Sequence, residues 1–280
     1  MILNIETRDE LEIIINSLKE LLDREWTIFS SKKYNIDSLK IKGIFNKIKD
    51  FGVYQYLNQA NLVDACLINE ILGQYLVPSI VAFTSIASKA IPEKESKEII
   101  EKGYIVSIGS NIVPDIDYAD IVITPNGIAF TKEISALEIK SPDPSARLFN
   151  IVKANWKKVD IDFNSVKIFA SSQMIGHAIA CLNKTIDYAK NRIAFGKPIG
   201  SYQAVKHKIV DNAVKLELVR SLYLSQRNRL TPDRIFNYAF KISLKAILDS
   251  IQLHGGIGFT TDLDLHLHLK RLLLLDKILE

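Results

Sequence analysis

The 280-residue sequence contains few cysteine, methionine and tryptophan residues, two of each, and it has no long uninterrupted apolar run. A membrane-spanning helix needs roughly 18 consecutive apolar residues. The longest apolar candidate, from Leu76 to Ala90, is broken by Pro78 and contains several Ser and Thr residues. The opening residues MILNIETRDE lack the basic stretch of a secretion signal. These absences predict a cytoplasmic protein without a membrane segment.

Concentrated charge and metal-ligand clusters are also missing. The net charge is +4, from 36 Lys and Arg against 32 Asp and Glu, and the basic residues are spread along the chain. Nucleic-acid binding usually needs a basic stripe, so we expect no nucleic-acid partner. His266 and His268 are two apart on a predicted helix and point in different directions, so we expect no metal site. Cys66 and Cys181 lie in apolar helical stretches, which predicts reduced thiols in the core.

Apolar spacing divides the chain into three predicted segments, a helical domain at 1–102, a small β domain at 103–160 and a four-helix bundle at 161–280. In the first segment, Thr7 to Glu25 has apolar residues at helical spacing, with Thr7 as the predicted N-cap. Further helices are expected over Ile36 to Lys49, within Leu62 to Ala90, and over Lys94 to Lys102. The fold class is therefore mainly α with a small β domain.

The middle segment has short β-branched runs. We expect strands at Tyr104 to Ile108, Ile121 to Thr124, Ile128 to Thr131 and around Ile134 to Ile139. The second and third of these are joined by Pro125-Asn126-Gly127, a sequence typical of a hairpin. A turn or linker follows at Ser141 to Ser145.

The last segment predicts four long helices with short connections, which is the pattern of an antiparallel bundle. Their expected bounds are Ser165 to Arg192, Tyr202 to Arg229, Pro232 to Leu253 and Leu263 to Leu279. Two of the connections carry the chemically informative residues of the chain.

The first of these connections is Arg192-Ile-Ala-Phe195-Gly-Lys-Pro-Ile199, followed by Gln203 at the start of a helix. An arginine fork suits phosphate oxygens, and the free N–H groups at a helix start favour an anion. The alternative is structural, with Arg192 as a helix-end cation that complements the helix dipole and Phe195 as a core side chain. His207, four residues after Gln203, is interpreted as a packed bundle residue.

The second connection is Gln252-Leu-His-Gly255-Gly256-Ile-Gly258-Phe259. Glycines allow main-chain amides to approach a ligand without an intervening Cβ, and a pyrophosphate is one such ligand. A turn that only ends a helix would also use glycine, but it would not require the glutamine.

These two motifs, in this order and sixty residues apart, resemble those of the acyl-CoA dehydrogenase family. The resemblance implies N-terminal helices, a reduced β domain and a C-terminal four-helix bundle. It also implies that FAD lies between subunits and contacts Arg192, Phe195, Gln203, Gln252, Gly255 and Gly256. The implied activity is α,β-dehydrogenation of an acyl-CoA thioester in fatty acid metabolism. The chain would work in a homo-oligomer, or with a longer dehydrogenase subunit, and electron-transfer flavoprotein would be the acceptor.

Two departures from the family pattern concern the catalytic centre. The base that removes the α-proton is a glutamate in relatives, and the matching positions here are Leu279 and Val166. Asp262, which we interpret more readily as an N-cap, and the terminal Glu280 are the remaining candidates. The Thr-Glu/Gly-Ser-Asp segment that surrounds the flavin ring in relatives is not found. Lys167 stands where relatives carry an arginine and is the candidate for binding CoA.

Two alternatives follow from these departures. In the first, the chain is a non-catalytic subunit that completes the flavin site of a longer partner dehydrogenase. In the second, the chain is a flavin monooxygenase or oxidase of the same fold, which would not need the carboxylate.

Overall fold

The computed structural model describes residues 9–26, 38–225 and 230–280. This part of the chain is mainly helical, with ten α-helices and three small sheets. The six N-terminal helices are α1 (Asp9–Glu25), α2 (Ser38–Asp50), α3 (Val53–Gln59), α4 (Leu62–Gln74), α5 (Ser79–Ala90) and α6 (Glu93–Lys102). None of the helices in the described ranges is both long enough and apolar enough to cross a membrane.

The first predicted helix is confirmed as α1, whereas α3 was not predicted. α1 buries Leu11, Leu18, Leu21 and Leu22 on one face, as an amphipathic helix should. The predicted N-cap Thr7 lies outside the described residues. α4 differs from α1 because it is buried on nearly every side, packing against α1, α5, α7 and α8.

Six short strands follow the helices. They are β1 (Val106–Ile108), β2 (Ile112–Pro114), β3 (Ile121–Thr124), β4 (Gly127–Phe130), β5 (Ile134–Ile139) and β6 (Leu148–Ala154). One sheet has the order β1-β3-β4 and the other β2-β6-β5. The predicted hairpin is confirmed, because β3 pairs antiparallel with β4 and Thr124 lies opposite Gly127. β2 and β6 were missed.

The predicted four-helix bundle is present. It consists of α7 (Phe163–Asn191), α8 (Gln203–Leu224), α9 (Pro232–His254) and α10 (Leu265–Leu279), with a two-residue hairpin of β7 (Ile193–Ala194) and β8 (Lys197–Pro198) between α7 and α8. α10 begins two residues later than expected. The predicted end of α8 at Arg229 lies outside the described residues.

The division into three segments stays a prediction. The bundle is in close contact with the N-terminal helices. α4 lies along α7 at very short range. A Cβ added to Gly176 of α7 would lie 2.2 Å from the carbonyl oxygen of Glu70, and one added to Gly73 of α4 would lie 2.6 Å from that of Gln173. Only glycine permits this backbone approach, so α4 is effectively a fifth helix of the bundle.

A buried arginine connects the last helix to the β region. Arg271 of α10 is almost fully buried, and its guanidinium donates to the Asp143 carboxylate, to the Val77 carbonyl at 2.7 Å and to Ser145 Oγ at 2.7 Å. Asp143 also accepts from Ser145 N at 2.9 Å. A buried ion pair is tolerated when hydrogen bonds satisfy its remaining atoms, as they do here. The predicted turn or linker at 141–145 is therefore a fixed turn.

The two cysteines, Cys66 and Cys181, are buried and unpaired, as expected for core thiols. Burial raises the pKa of both thiols. His177 and His268 also meet in the core, with 3.1 Å between their Nδ1 atoms, and burial lowers the pKa of both rings. Within the described ranges, no group of three or more metal-ligating side chains is arranged to hold a metal ion.

Asp115 gives the fold a specific pH dependence. Its carboxyl is buried beside Arg271 and Asp143, and burial raises its pKa from 3.8 to about 7. Oδ1 accepts from Arg147 N at 2.8 Å, whereas Oδ2 has no hydrogen-bond partner among the described residues. The native state therefore keeps this proton up to near pH 7, while the unfolded state loses it near pH 4. The resulting stability is complete below pH 4 and is lost as the pH rises through 7.

Asp115→Asn keeps the neutral shape at every pH and tolerates the left-handed backbone at φ 51°. Between pH 5 and pH 8, we expect the free energy of unfolding of the wild type to fall by at least ~1 kcal/mol more than that of the variant. Urea titrations of both proteins at the two pH values measure this difference. Parallel behaviour of the two proteins would show that Asp115 is already ionised in the native state.

Candidate nucleotide site at one end of the bundle

The residues of the two sequence motifs all lie at one end of the bundle. Lys167, near the start of α7, lies at the other end. At the end with the motifs, α7 ends at Asn191, α8 begins at Gln203, α9 ends at His254, and α10 begins at Leu265. The two connections singled out from the sequence are the two bends at this end. We call them the hairpin bend (192–201) and the glycine bend (255–259).

The hairpin bend presents Phe195 to solvent on a strained backbone. Phe195 has φ 51° and is 96% exposed, and Gly196 has φ 81°. The left-handed region costs a non-glycine residue about 1 kcal/mol or more, and nothing within the chain offsets it through burial of the ring. The bend is held by Tyr202, whose hydroxyl donates to the Ala194 carbonyl at 3.1 Å. The structural alternative, with Phe195 as a core side chain, is wrong for the single chain.

Arg192 and Gln203 flank this bend and are both exposed. Arg192 caps α7 in an extended conformation, and its carbonyl accepts from Ile199 N at 2.8 Å, which fixes its backbone. Gln203 is the first residue of α8, beside the free N–H groups of that helix start. His207, expected to be packed in the bundle, is exposed instead.

The glycine bend is a single 3-10 turn in which the three glycines have different requirements. Gly255 has φ 64°, a conformation that favours glycine. A Cβ on Gly258 would lie 2.3 Å from the Ile251 carbonyl oxygen, so packing excludes a side chain there. A Cβ on Gly256 would meet nothing within 4 Å, and its φ is not positive. The fold of this chain does not explain glycine at 256, whereas close approach of an external group does.

Contacts between helices hold the two bends near each other. Lys208 of α8 donates from Nζ to Gln252 Oε1 at 2.8 Å. Tyr188 of α7 stacks on His254, with ring centroids 4.5 Å apart, and His254 Nδ1 donates to the Ser250 carbonyl at 2.8 Å. An open groove of about 370 Å³ runs between the last turns of α7 and the glycine bend, lined by Lys184, Asp187, Tyr188, Asn191, His254, Ile257, Leu263 and Leu265.

The chemistry of this surface suits a diphosphate. Its exposed groups include the Arg192 guanidinium, the Gln203 and Gln252 amides and the open main chain at Gly256, and all of these can donate hydrogen bonds. The nearby Asp249 carboxylate is buried and is paired with Lys208 and Lys245. Its burial raises the pKa, but hydrogen bonds from Lys245 and Asn212 lower the pKa overall. The residues present therefore fit the adenosine diphosphate half of a dinucleotide such as FAD.

Lys167 lies at the other end of the bundle. It is in the first turns of α7, and its Nζ donates to Asp233 Oδ1 at 2.5 Å. Roughly 25 helical residues separate it from Arg192, or about 38 Å at 1.5 Å per residue. One chain therefore cannot bring Lys167 and the two bends to the same part of a ligand.

The surroundings of the candidate bases differ from those of a typical base. Asp262 and Glu280 are exposed, whereas a carboxylate that removes an α-proton benefits from desolvation. Val166 and Leu279, at the family's glutamate positions, are buried and apolar. The expectation of Asp262 as an N-cap is wrong, because α10 begins after Asp264.

Comparison with known proteins places the chain in a family. The profile described as "Acyl-CoA dehydrogenase, C-terminal domain" matches residues 156–278. Acyl-CoA dehydrogenase IpdE2 of Mycobacterium tuberculosis is 31% identical over 226 residues, which cover 75% of this chain and 71% of that protein. The chain belongs to the acyl-CoA dehydrogenase family.

Solved structures show the same fold. Butyryl-CoA dehydrogenase from Megasphaera elsdenii superposes with a TM-score of 0.76 at 13% identity, over 98% of this chain and 95% of that one. A glutaryl-CoA dehydrogenase from Mycobacterium smegmatis in complex with FADH2 superposes with a TM-score of 0.73 at 15% identity, over 96% and 90%.

Thermal unfolding should distinguish the roles of Gly256 and Gly258 in the glycine bend. Gly258→Ala places a Cβ against the Ile251 carbonyl, and we expect it to destabilise the chain by about 1–3 kcal/mol, as overpacking does. Gly256→Ala enters open space and should leave the melting temperature unchanged. Equal losses from both variants would mean that Gly256 is also required by the fold, and that it gives no indication of a ligand.

Proposed function

We propose that this chain binds the adenosine diphosphate half of FAD at the two bends and acts as an acyl-CoA dehydrogenase or as a subunit of one. Gly256 supports this most directly, because a main chain left open and unexplained by the fold lies beside exposed hydrogen-bond donors. When bound, FAD supplies the acceptor for the hydride that leaves the acyl-CoA thioester.

The roles of the individual residues follow from their positions. Arg192 would pair with diphosphate oxygens through its planar fork, and Gln203 would extend the anion-binding start of α8. Gln252 and the amides at Gly255 and Gly256 would hold the adenosine side. Phe195 would lie against the cofactor or the adjoining subunit, where burial of its ring would offset the strained backbone. Asp262 remains the proposed base and Lys167 the proposed contact for CoA.

A second candidate function is a non-catalytic subunit that completes the flavin site of a longer dehydrogenase. Two observations favour it. The positions matched to the family's glutamates hold the buried apolar residues Val166 and Leu279, and the two candidate bases, Asp262 and Glu280, are exposed. In this arrangement the partner would supply the base and the segment that surrounds the flavin ring, and the present chain would supply the bends.

Either function requires another subunit, and α8 has a surface that suits one. Val210, Val214 and Leu218 recur every four residues on this helix and are 57%, 52% and 62% exposed. An apolar stripe of this kind is typical of a protein contact, and the exposed Phe195 ring is a further apolar group that a partner could cover. We therefore propose a homo-oligomer or a hetero-oligomer with a longer acyl-CoA dehydrogenase. Electron-transfer flavoprotein remains the proposed acceptor, and a cytoplasmic location remains an expectation.

Phe195→Asn should separate folding from assembly. Asparagine adopts the left-handed backbone at little cost, so the variant should unfold at the same temperature as the wild type or slightly higher. Loss of the exposed ring should shift the assembly toward smaller species in sedimentation velocity. Leu39→Gln, at a 78% exposed position of α2, is the matched control and should leave the assembly intact. A destabilised Phe195→Asn chain would show that the ring already packs within its own subunit.

The flavin itself gives the decisive test of the proposal. The chain is purified alone and with a longer acyl-CoA dehydrogenase from the same source, and the visible spectrum is recorded before and after addition of acyl-CoA. Flavin absorbance that bleaches in the chain alone indicates an enzyme. Bleaching that appears only with the partner indicates a site-completing subunit.

Arg192→Ala and Gln252→Ala should each lower flavin occupancy by about tenfold or more, because each removes a hydrogen bond to the ligand. Arg234→Ala, an exposed arginine at the opposite end of the bundle, is the control and should retain the flavin. Full occupancy in all three variants would contradict both functions, because the flavin would then bind without the residues of the two bends.

A further inference from the structure

Lys208 is a second-turn residue of α8 that the sequence motifs do not include. Its Nζ donates to Gln252 Oε1 at 2.8 Å and lies 3.4 Å from Asp249 Oδ1. The lysine therefore joins the start of α8 to the end of α9, directly before the glycine bend. Its side chain is 34% exposed, so it is only partly available to solvent.

The buried carboxylate of Asp249 fixes the position of Lys208. Asp249 is only 7% exposed, and its carboxylate also accepts from Asn212 Nδ2 at 3.1 Å and from Lys245. Exposed ion pairs fix little by themselves, but this carboxylate is held by three side chains. Asp249 carries one negative charge against the two positive charges of Lys208 and Lys245, so the group keeps a net positive charge. Lys208 also acts on the neighbouring amide.

That effect concerns the direction of the Gln252 amide. A lysine ammonium has three hydrogen-bond donors and no acceptor, so only the oxygen end of the amide can face it. The nitrogen end of the exposed Gln252 is then directed away from Lys208 as a donor. Without the lysine, the exposed Gln252 side chain regains its rotamer freedom and its amide can also turn, so the donor faces the ligand only a small fraction of the time.

We propose that Lys208 is a positioning residue that fixes Gln252 as a hydrogen-bond donor toward the adenosine diphosphate half of a dinucleotide. This inference rests on the function proposed above. The ligand atom opposite Gln252 is then an acceptor, such as a phosphate oxygen, a ribose oxygen or an adenine ring nitrogen. A ligand group that only donates would be rejected, because two donors would face each other.

Dissociation constants for FAD, ADP and FMN test the proposal, measured by equilibrium dialysis on the full chain in its native assembly. Lys208→Met keeps the length of the side chain but cannot donate, and it should weaken FAD and ADP by about tenfold, as expected for one lost hydrogen bond. FMN lacks the adenylate half, so its affinity should not change. Lys208→Arg also only donates, and it should recover affinity to within about threefold of the wild type.

Two further comparisons distinguish the positioning role of Lys208 from an effect of its charge or of altered folding. In a Gln252→Leu background, Lys208→Met should cause no additional loss, because the lysine acts through the amide. Lys215→Met removes an equivalent lysine from α8, one paired with Asp211 at 3.0 Å, and it should bind all three ligands like the wild type.

The failure of the inference and the failure of the proposed function give different results. If the wild type binds FAD and ADP but Lys208→Met binds them equally well, or if the loss persists in the Gln252→Leu background, the positioning role is wrong and the proposed function stands. If the wild-type assembly binds neither FAD nor ADP, both are overturned.

Discussion

The close contact between α4 and α7 is the constraint on which the rest of the structure depends. Gly73 and Gly176 allow the two backbones to approach until no side chain fits between them, and α7 then packs against α5, α8, α9 and α10. A 29-residue helix held in this way is a rigid rod. It carries the hairpin bend at one end and Lys167 at the other, and so it fixes the distance between the two.

That distance explains how the site can work. The bends and Lys167 are too far apart to contact one ligand group from a single chain, yet the residues at the bends have the donors, the open main chain and the exposed aromatic ring of a nucleotide contact. An assembly in which the bends of one subunit meet a cofactor carried by another satisfies both facts. It would also bury the Phe195 ring and the apolar stripe of α8, both of which are exposed in the single chain.

The sequence predicted the bundle and the two bends well because their signals are local. Helical spacing located α7 to α10 to within two residues at most described ends, and Asn126-Gly127 marked the β3–β4 hairpin. β2 and β6 were missed because they are paired through non-local contacts and have little alternation of their own. Lys208 was missed because no pattern relates it to Gln252, 44 residues away. His207 was expected to be packed, but residue type alone does not show which face of a helix meets solvent.

The departures from the family pattern were also predicted from the sequence. Val166 and Leu279 were predicted to replace the family's glutamates, and the structure places both in the core, where a carboxylate would be costly without a partner. The chain thus has an exposed surface whose hydrogen-bond donors suit a nucleotide, and apolar residues at the positions that the sequence resemblance matches to the family's glutamates. Both features are explained if this chain contacts the nucleotide and another subunit supplies the base.

The most direct measurement is an experimental structure of the native assembly with FAD bound, by crystallography or electron cryomicroscopy. The account predicts that the hairpin and glycine bends lie against the diphosphate and adenosine of a flavin whose ring is held by a neighbouring subunit, with Phe195 buried and the Gly256 main chain in contact with the ligand. Bends that face solvent, or that pack against protein with every flavin elsewhere, would contradict it.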